Sequence, residues 1–244
     1  MTRTPLAVAA LALALVLGLP GFAAAQDLSL SLGDGQSLSA RSIQLILLIT
    51  VLSLAPGLLI MVTCFPFLVT VFSILRQALG LQQSPPNMLL VSLSLFLTYY
   101  IMEPVFIDAY QVGIKPFLED QLSVEQALLM SGQPFHGFMM GRVDQATLVH
   151  FMELRNFDPS TGAEAPFSIL VPSFMVSEIS RAFQIGFLIY LPFLIIDMVV
   201  AAVLMSMGMM MVPPAAVSLP FKLAFFVVAN GWVLISETLV RGYL

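Results

Sequence analysis

The residue types that usually carry out catalysis are sparse in this sequence and stand at unsuitable spacings. His136 and His150 are the only histidines, and Cys64 is the only cysteine. The histidines do not form an H-E-x-x-H pair and no cysteine pair exists, so the sequence predicts no metal site. G-x-S-x-G, Walker A and G-x-G-x-x-G motifs are also missing from the sequence. We therefore expect a protein without enzymatic activity and without a cofactor.

Charged residues inside or beside apolar runs are more informative. The four such residues are Glu103, Asp197, Lys222 and Glu237. Placing an ionised group at mid-bilayer costs about 2.5–3.5 kcal/mol. Each of these charged residues is therefore expected either to have a polar partner or to lie at a helix end. Both explanations stay open for Glu103 and Glu237. Asp197 lies deep in its run and predicts a partner. With a hairpin tip near Pro213, Lys222 is about 7 residues, or 10 Å, out of register with Asp197, so we expect that partner on a neighbouring subunit.

Two further charges lie just before the third apolar run. Glu178 and Arg181 are three residues apart and could pair on one helix face. Ser177-Glu178 is interpreted as the cap of the helix that follows. Together with Asp197 and Lys222, Glu178 and Arg181 are predicted to make polar contacts between helices, some of them between subunits.

Methionines crowd one short segment around Gly208. They are Met205, Met207, Met209, Met210 and Met211. Methionine is flexible and polarizable, and it suits surfaces that must repack. Composition alone, however, favours ordinary apolar packing at a turn.

The overall composition requires an apolar environment. Of 244 residues, 59% are hydrophobic and 9% are charged, and the mean hydropathy is +0.99. Soluble domains carry about 25% charged residues, so this chain cannot cover its surface with polar groups. The sequence therefore predicts a membrane protein. Its net charge of −5 argues against binding nucleic acid.

The N-terminus has the pattern of a cleavable signal peptide over residues 1–25. Arg3 precedes an apolar stretch, Leu6 to Leu19, and small residues follow up to Ala25. We expect cleavage between Ala25 and Gln26; an uncleaved first transmembrane helix is the alternative. Residues 26–42 would then form a flexible segment outside the cytoplasm.

Four apolar segments follow, and they predict an all-α membrane protein made of kinked helical hairpins. They span residues 43–75, 87–107, 182–207 and 215–240. Pro56 and Pro66 interrupt the first segment and favour kinks. Residues 43–107 are interpreted as a first pair of helices, and residues 182–244 as a second hairpin with its tip near 208–214.

The polar stretch of residues 108–181 predicts a small helical insertion on the periplasmic side. Ser123 to Gln126 has capping-box spacing. After Gly132 and Pro134, apolar residues recur three or four apart, which indicates a second, amphipathic helix. Residues 156–166 are typical of a loop.

Two motifs carry a family resemblance. Residues 75–87 contain Leu-Arg-Gln-Ala-Leu-Gly and then Pro-Pro-Asn, and resemble the "LRxAxG…PPN" signature of the FliP family. Residues 172–222 resemble the same family's block from "SE…AF.IGF" through "MGMMM.PP" to "LPFK". The signature positions are Arg76, Gly80, Pro85, Pro86, Asn87, Gly208, Pro213 and Pro214.

The resemblance implies a non-enzymatic role in the flagellar type III export gate. It implies five copies assembled with FliQ-like and FliR-like subunits and other export components, passing unfolded flagellar proteins across the inner membrane. It places the assembly in the flagellar basal body, largely facing the periplasm. The signal pattern of residues 1–25 favours this branch over related virulence systems. The resemblance also assigns the methionines around Gly208 to the seal of the pore, against the interpretation from composition.

Overall fold

The computed structural model describes residues 38–81, 84–157, 164–209 and 211–243. The predicted signal peptide, its cleavage site at Ala25 and Gln26, and Met210 lie outside these residues. The chain divides into two units, residues 1–51 and residues 52–244. Of the first unit, the described part is residues 38–51, which belong to the first helix. Every regular element among the described residues is helical, which confirms the predicted all-α fold class.

Nine α-helices are present in the described ranges. They are α1 (Leu38–Met61), α2 (Phe65–Ala78), α3 (Asn87–Ala109), α4 (Lys115–Leu118), α5 (Val124–Arg142), α6 (Gln145–Leu154), α7 (Phe167–Ser206), α8 (Pro214–Val228) and α9 (Gly231–Arg241). A π-helical turn, Tyr110–Ile114, joins α3 to α4.

The first apolar segment forms two helices, and of its two prolines Pro66 lies at the break between them whereas Pro56 does not. Pro66 stands in the first turn of α2, where its missing N–H has no carbonyl to bond. Pro56 lies inside α1, and the helix continues through it. The Thr63 hydroxyl donates to the carbonyl of Ile60 at 2.9 Å and satisfies one of the last acceptors of α1. Helix α2 then contributes Phe67, Val71 and Phe72, among others, to the larger of the two hydrophobic cores.

The third apolar segment is longer than its hydropathy predicted. Helix α7 has 40 residues and begins at Phe167, not at Ala182. Ser177-Glu178 therefore lies inside the helix, and its interpretation as a cap was wrong. Ser173 and Ser177 donate their hydroxyls to carbonyls four residues back, at 2.7 and 2.8 Å, so these polar residues are compatible with a helix interior.

Helix α7 packs closely along α2. A Cβ on Gly186 would overlap the side chain of Ile74, so glycine is what permits this approach. The fourth apolar segment is bent. Helices α8 and α9 meet at 61°, and Asn230 at the bend has a left-handed backbone with φ of 50°.

The polar region contains the predicted capping box, but the helix that this box begins ends later than predicted. The Ser123 hydroxyl accepts from the N–H of Gln126, and the Gln126 side chain accepts from the N–H of Ser123. Helix α5 then continues through Gly132 and Pro134 to Arg142. The break expected near Pro134 occurs instead at Asp144, which caps α6.

Length and composition allow two of the described helical stretches to cross a membrane. These are Asn87–Leu118, which includes α3 and α4, and Phe167–Ser206, which is α7. The bent pair of α8 and α9 makes a third if it counts as one span. These stretches confirm the predicted transmembrane character.

Candidate functional site

The methionine tip, residues 205–211, ends the hairpin formed by α7 and α8. Gly208 has a φ of +74°, which favours glycine at this turn. Pro213 is the N-cap of α8 and Pro214 its first residue, so the two prolines begin the returning helix. Four methionine side chains of the tip are exposed, by 42% at Met209 and 99% at Met211. The tip therefore presents flexible apolar side chains that the described chain leaves uncovered.

Asp197 and Lys222 pair directly across this hairpin. Lys222 Nζ lies 2.6 Å from Asp197 Oδ2. The expectation that register would separate them within one chain was wrong. Asp197 lies nine residues before the end of α7, and Lys222 lies eight residues after the start of α8. The two lie opposite each other because α7 ends at Ser206 and α8 begins at Pro214, which places them at nearly equal distances from the two helix ends.

Two further groups complete this arrangement, which we call the tip brace: Asp197, Ser218, Lys222 and the carbonyl of Ala78. The Ser218 hydroxyl donates to Asp197 Oδ1 at 2.6 Å. Lys222 Nζ also donates to the Ala78 carbonyl at 3.0 Å. Lys222 is 5% exposed. The brace thus joins both helices of the hairpin to the end of α2 with a buried cation.

The second polar site is the Glu178 cluster, defined as Glu178, Arg142, Arg181 and Tyr243. Arg181 Nη1 donates to Glu178 Oε1 at 3.1 Å, so the predicted pair on one helix face is present. Arg142 Nε is 3.8 Å from the same oxygen. The Tyr243 hydroxyl donates to Glu178 Oε2. The Glu178 side chain is fully buried, so these groups compensate its charge.

The sequence did not identify Arg142 or Tyr243, because both reach Glu178 from distant elements. Arg142 ends α5, and its guanidinium lies 4.0 Å from the centre of the Tyr243 ring. It also donates to the carbonyl of Gly242 at 2.7 Å. Burial and the Glu178 carboxylate raise the pKa of the Tyr243 hydroxyl above its usual value, so it acts as a neutral donor. The cluster therefore holds the segment after α9 against α5 and α7.

The first family signature forms the connection between α2 and α3. Arg76 Nη1 donates to Asn87 Oδ1. Gly80 has a φ of +78° just after α2, and Pro86 is the N-cap of α3. The Ser84–Pro85 peptide is cis. These positions shape a turn after the end of α2, where the Ala78 carbonyl of the tip brace also lies.

The remaining candidates lie apart from both polar sites. Glu237 pairs with Arg241 on the exposed side of α9, at 2.6 Å. Glu103 is exposed on α3. His136 bonds the Ala165 carbonyl at 2.7 Å, while His150 lies on α6. Within the described part of the chain, no group of three or more His, Cys, Asp or Glu side chains could hold a metal ion.

Comparison with known proteins agrees with the two sequence motifs. The model of the FliP family matches residues 48–239. The chain belongs to the FliP family. Its matched region includes the tip, the tip brace and most of the Glu178 cluster, with Tyr243 beyond its end.

Several relatives are similar along most of their length. The flagellar biosynthetic protein FliP of Caulobacter vibrioides is 49% identical over 227 residues, covering 92% of this chain and 85% of that protein. The protein of the same name from Agrobacterium fabrum is 45% identical, with 95% and 97% covered. That of Bacillus subtilis is 44% identical, with 87% and 96% covered. The family resemblance seen in the motifs is confirmed.

Proposed function

We propose that this chain is a pore-forming subunit of the flagellar type III export gate. In this proposal five copies assemble with FliQ-like and FliR-like subunits in the inner membrane, largely facing the periplasm. Together they pass unfolded flagellar proteins. Membership of the FliP family and the name of its relatives, flagellar biosynthetic protein, support the role in flagellar export.

The methionine tip is the observation that carries the pore assignment. An idle export channel must exclude ions and still admit chains of varied side chains. Unbranched thioethers can change rotamer, whereas β-branched side chains are restricted at χ1. Hydrophobic constrictions also stop ions by excluding water. Exposed methionines at the end of a hairpin, such as Met207, Met209 and Met211, suit a seal that deforms around cargo.

The tip brace supports the same assignment. A seal that deforms must be carried on helices that do not separate. Lys222 fixes α8 to Asp197 of α7 and to the end of α2. The turn has open space beside it, since a Cβ on Gly208 would meet no atom within 4 Å. The hairpin thus combines a fixed base with a tip that can rearrange.

Replacement of the tip methionines tests the proposal. The triple variant Met207→Ala, Met209→Ala and Met211→Ala should let small solutes leak through the inner membrane while the complex still assembles. The corresponding triple isoleucine variant should keep the seal and slow export. The measurements are solute permeability of cells and the amount of flagellin secreted, with complex abundance as the assembly control.

A matched control uses three exposed methionines away from the tip. Met88, Met130 and Met198 are also exposed, and their triple alanine variant should change neither permeability nor export. If the tip alanine variant stays impermeable and exports normally, the methionines only pack at a turn and the seal lies elsewhere.

A further inference from the structure

A groove runs between α7 and α9 and ends at the Glu178 cluster. It encloses about 410 Å³, within the usual range of about 300–1,000 Å³ for small-molecule sites. Apolar side chains line most of it, among them Ile185, Leu188 and Ile189 of α7 and Leu234 and Ile235 of α9. We call it the α7–α9 groove.

The polar end of the groove presents positive charge. Arg142 and Arg181 line this end, and their side chains are 21% and 33% exposed. The Glu178 carboxylate that compensates them is fully covered. Asp144 is near Arg181, but it does not line the groove, and its carboxylate accepts from the N–H and hydroxyl of Thr147. A ligand in the groove therefore meets guanidinium groups and no carboxylate.

The charges and the apolar lining follow the order expected across a membrane boundary. Arg181 immediately precedes the apolar part of α7, and the other lining residues of α7 follow it within eight residues. Helix α7 is about 60 Å long, roughly twice the hydrocarbon thickness of a bilayer, and with its apolar part after Arg181 as the span, Arg181 lies at the level of the lipid headgroups. The groove thus starts at headgroup level and continues into the apolar part of the same helix.

We propose that the α7–α9 groove binds an anionic phospholipid. One acyl chain lies between α7 and α9, and the phosphate contacts Arg181 and Arg142, because guanidinium groups match phosphate in charge and geometry. The guanidinium groups at one end of the groove and the apolar lining beyond them match the two parts of a phospholipid, its charged headgroup and its hydrocarbon chain. This proposal depends on the membrane character of the chain and not on export activity.

Fluorescence quenching by brominated lipids tests it, since Trp232 is the only tryptophan. In a Trp232→Phe background, Leu188→Trp places the fluorophore in the groove. Phe187→Trp is the matched control, because Phe187 lies at the same depth, is 59% exposed against 64% for Leu188, and does not line the groove. The purified complex is placed in phosphatidylcholine vesicles containing either brominated phosphatidylglycerol or brominated phosphatidylcholine.

At Leu188→Trp, the anionic lipid should compete roughly fivefold better than the zwitterionic one, the ratio that one basic side chain near a membrane surface typically gives. At Phe187→Trp, both lipids should quench equally. Adding Arg181→Gln should remove the preference at Leu188→Trp and leave the control signal unchanged, which shows that the fold is kept. Equal quenching by the two lipids at Leu188→Trp would overturn the proposal. Absence of quenching there would also overturn it, and would show that a neighbouring subunit fills the groove.

Discussion

Removing either member of the Asp197–Lys222 pair should have unequal consequences, although both changes break the same ion pair. The Lys222 side chain is 6% exposed, whereas that of Asp197 is 32% exposed. Asp197→Ala leaves a buried ammonium with only the Ala78 carbonyl as a partner. Leaving a buried charge without its partner typically costs about 3–5 kcal/mol, and we expect a loss in that range.

Lys222→Met should cost less. It removes the buried charge and keeps an unbranched side chain, and Asp197 retains the Ser218 hydroxyl at 2.6 Å. Loss of a hydrogen bond to a charged group costs about 1.5–3 kcal/mol, and partial exposure of Asp197 favours the lower end. The double variant Asp197→Ala with Lys222→Met should be at least about 1 kcal/mol more stable than Asp197→Ala alone, since no buried charge remains.

The assay is the free energy of unfolding of the purified chain in mixed micelles, measured by titration with dodecyl sulfate. Glu237→Ala is the control for removing a carboxylate, because its pair with Arg241 is exposed and should contribute less than about 1 kcal/mol. Equal losses of stability in Lys222→Met and Asp197→Ala would contradict a buried, unpaired ammonium as the cause, and so would a double variant that is no more stable than Asp197→Ala.

Three further predictions concern the signal, the packing of α7 and the cap of α6. N-terminal sequencing of the assembled protein should find a start at Gln26 or within a few residues of it; finding Met1 or Thr2 would contradict the signal interpretation. Gly186→Ala should lower the free energy of unfolding by about 1–3 kcal/mol, because its Cβ would overlap the side chain of Ile74. Adding Ile74→Val should recover part of that loss in the same assay; if the effects of the two changes simply added, Gly186 and Ile74 would not be in contact. The Thr147 hydroxyl and N–H hold the pKa of Asp144 below its usual value, so its stabilisation of α6 is present above the unfolded pKa of about 3.9 and is lost as pH falls further. Hydrogen exchange of the α6 amides should show this loss, and Asp144→Asn should remove the pH dependence; an unchanged dependence would exclude Asp144 as its source.

The helices were predictable where apolar runs have clear boundaries. Helix α3 begins at Asn87, directly after Pro85-Pro86, as expected. The first 15 residues of α7 were missed because serines and charges interrupt the apolar pattern there. Those side chains are satisfied by hydroxyl bonds to the preceding turn and by the Glu178 cluster. Hydropathy cannot reveal such compensation.

The sequence indicated which charged residues make polar contacts, but not which residues they contact. Asp197 and Lys222 were identified because charges in apolar runs are costly. A tip at Pro213-Pro214 does not predict their pairing, because these prolines start α8 and the turn precedes them. Tyr243 gave no signal, since its role depends on a contact 65 positions away in sequence with Glu178. Partners that the fold brings together from distant segments require the three-dimensional arrangement.

Photocrosslinking from the tip is the most direct test of the pore assignment. A photoreactive residue at Met209 is introduced into cells that secrete flagellin fused to a tightly folded domain, which stalls during export. The same residue at Leu128, an exposed position on α5, serves as the control. The proposal predicts a covalent adduct between the chain and the stalled flagellin from Met209 and none from Leu128. Stalled export without an adduct from Met209, or equal adducts from both positions, would contradict it.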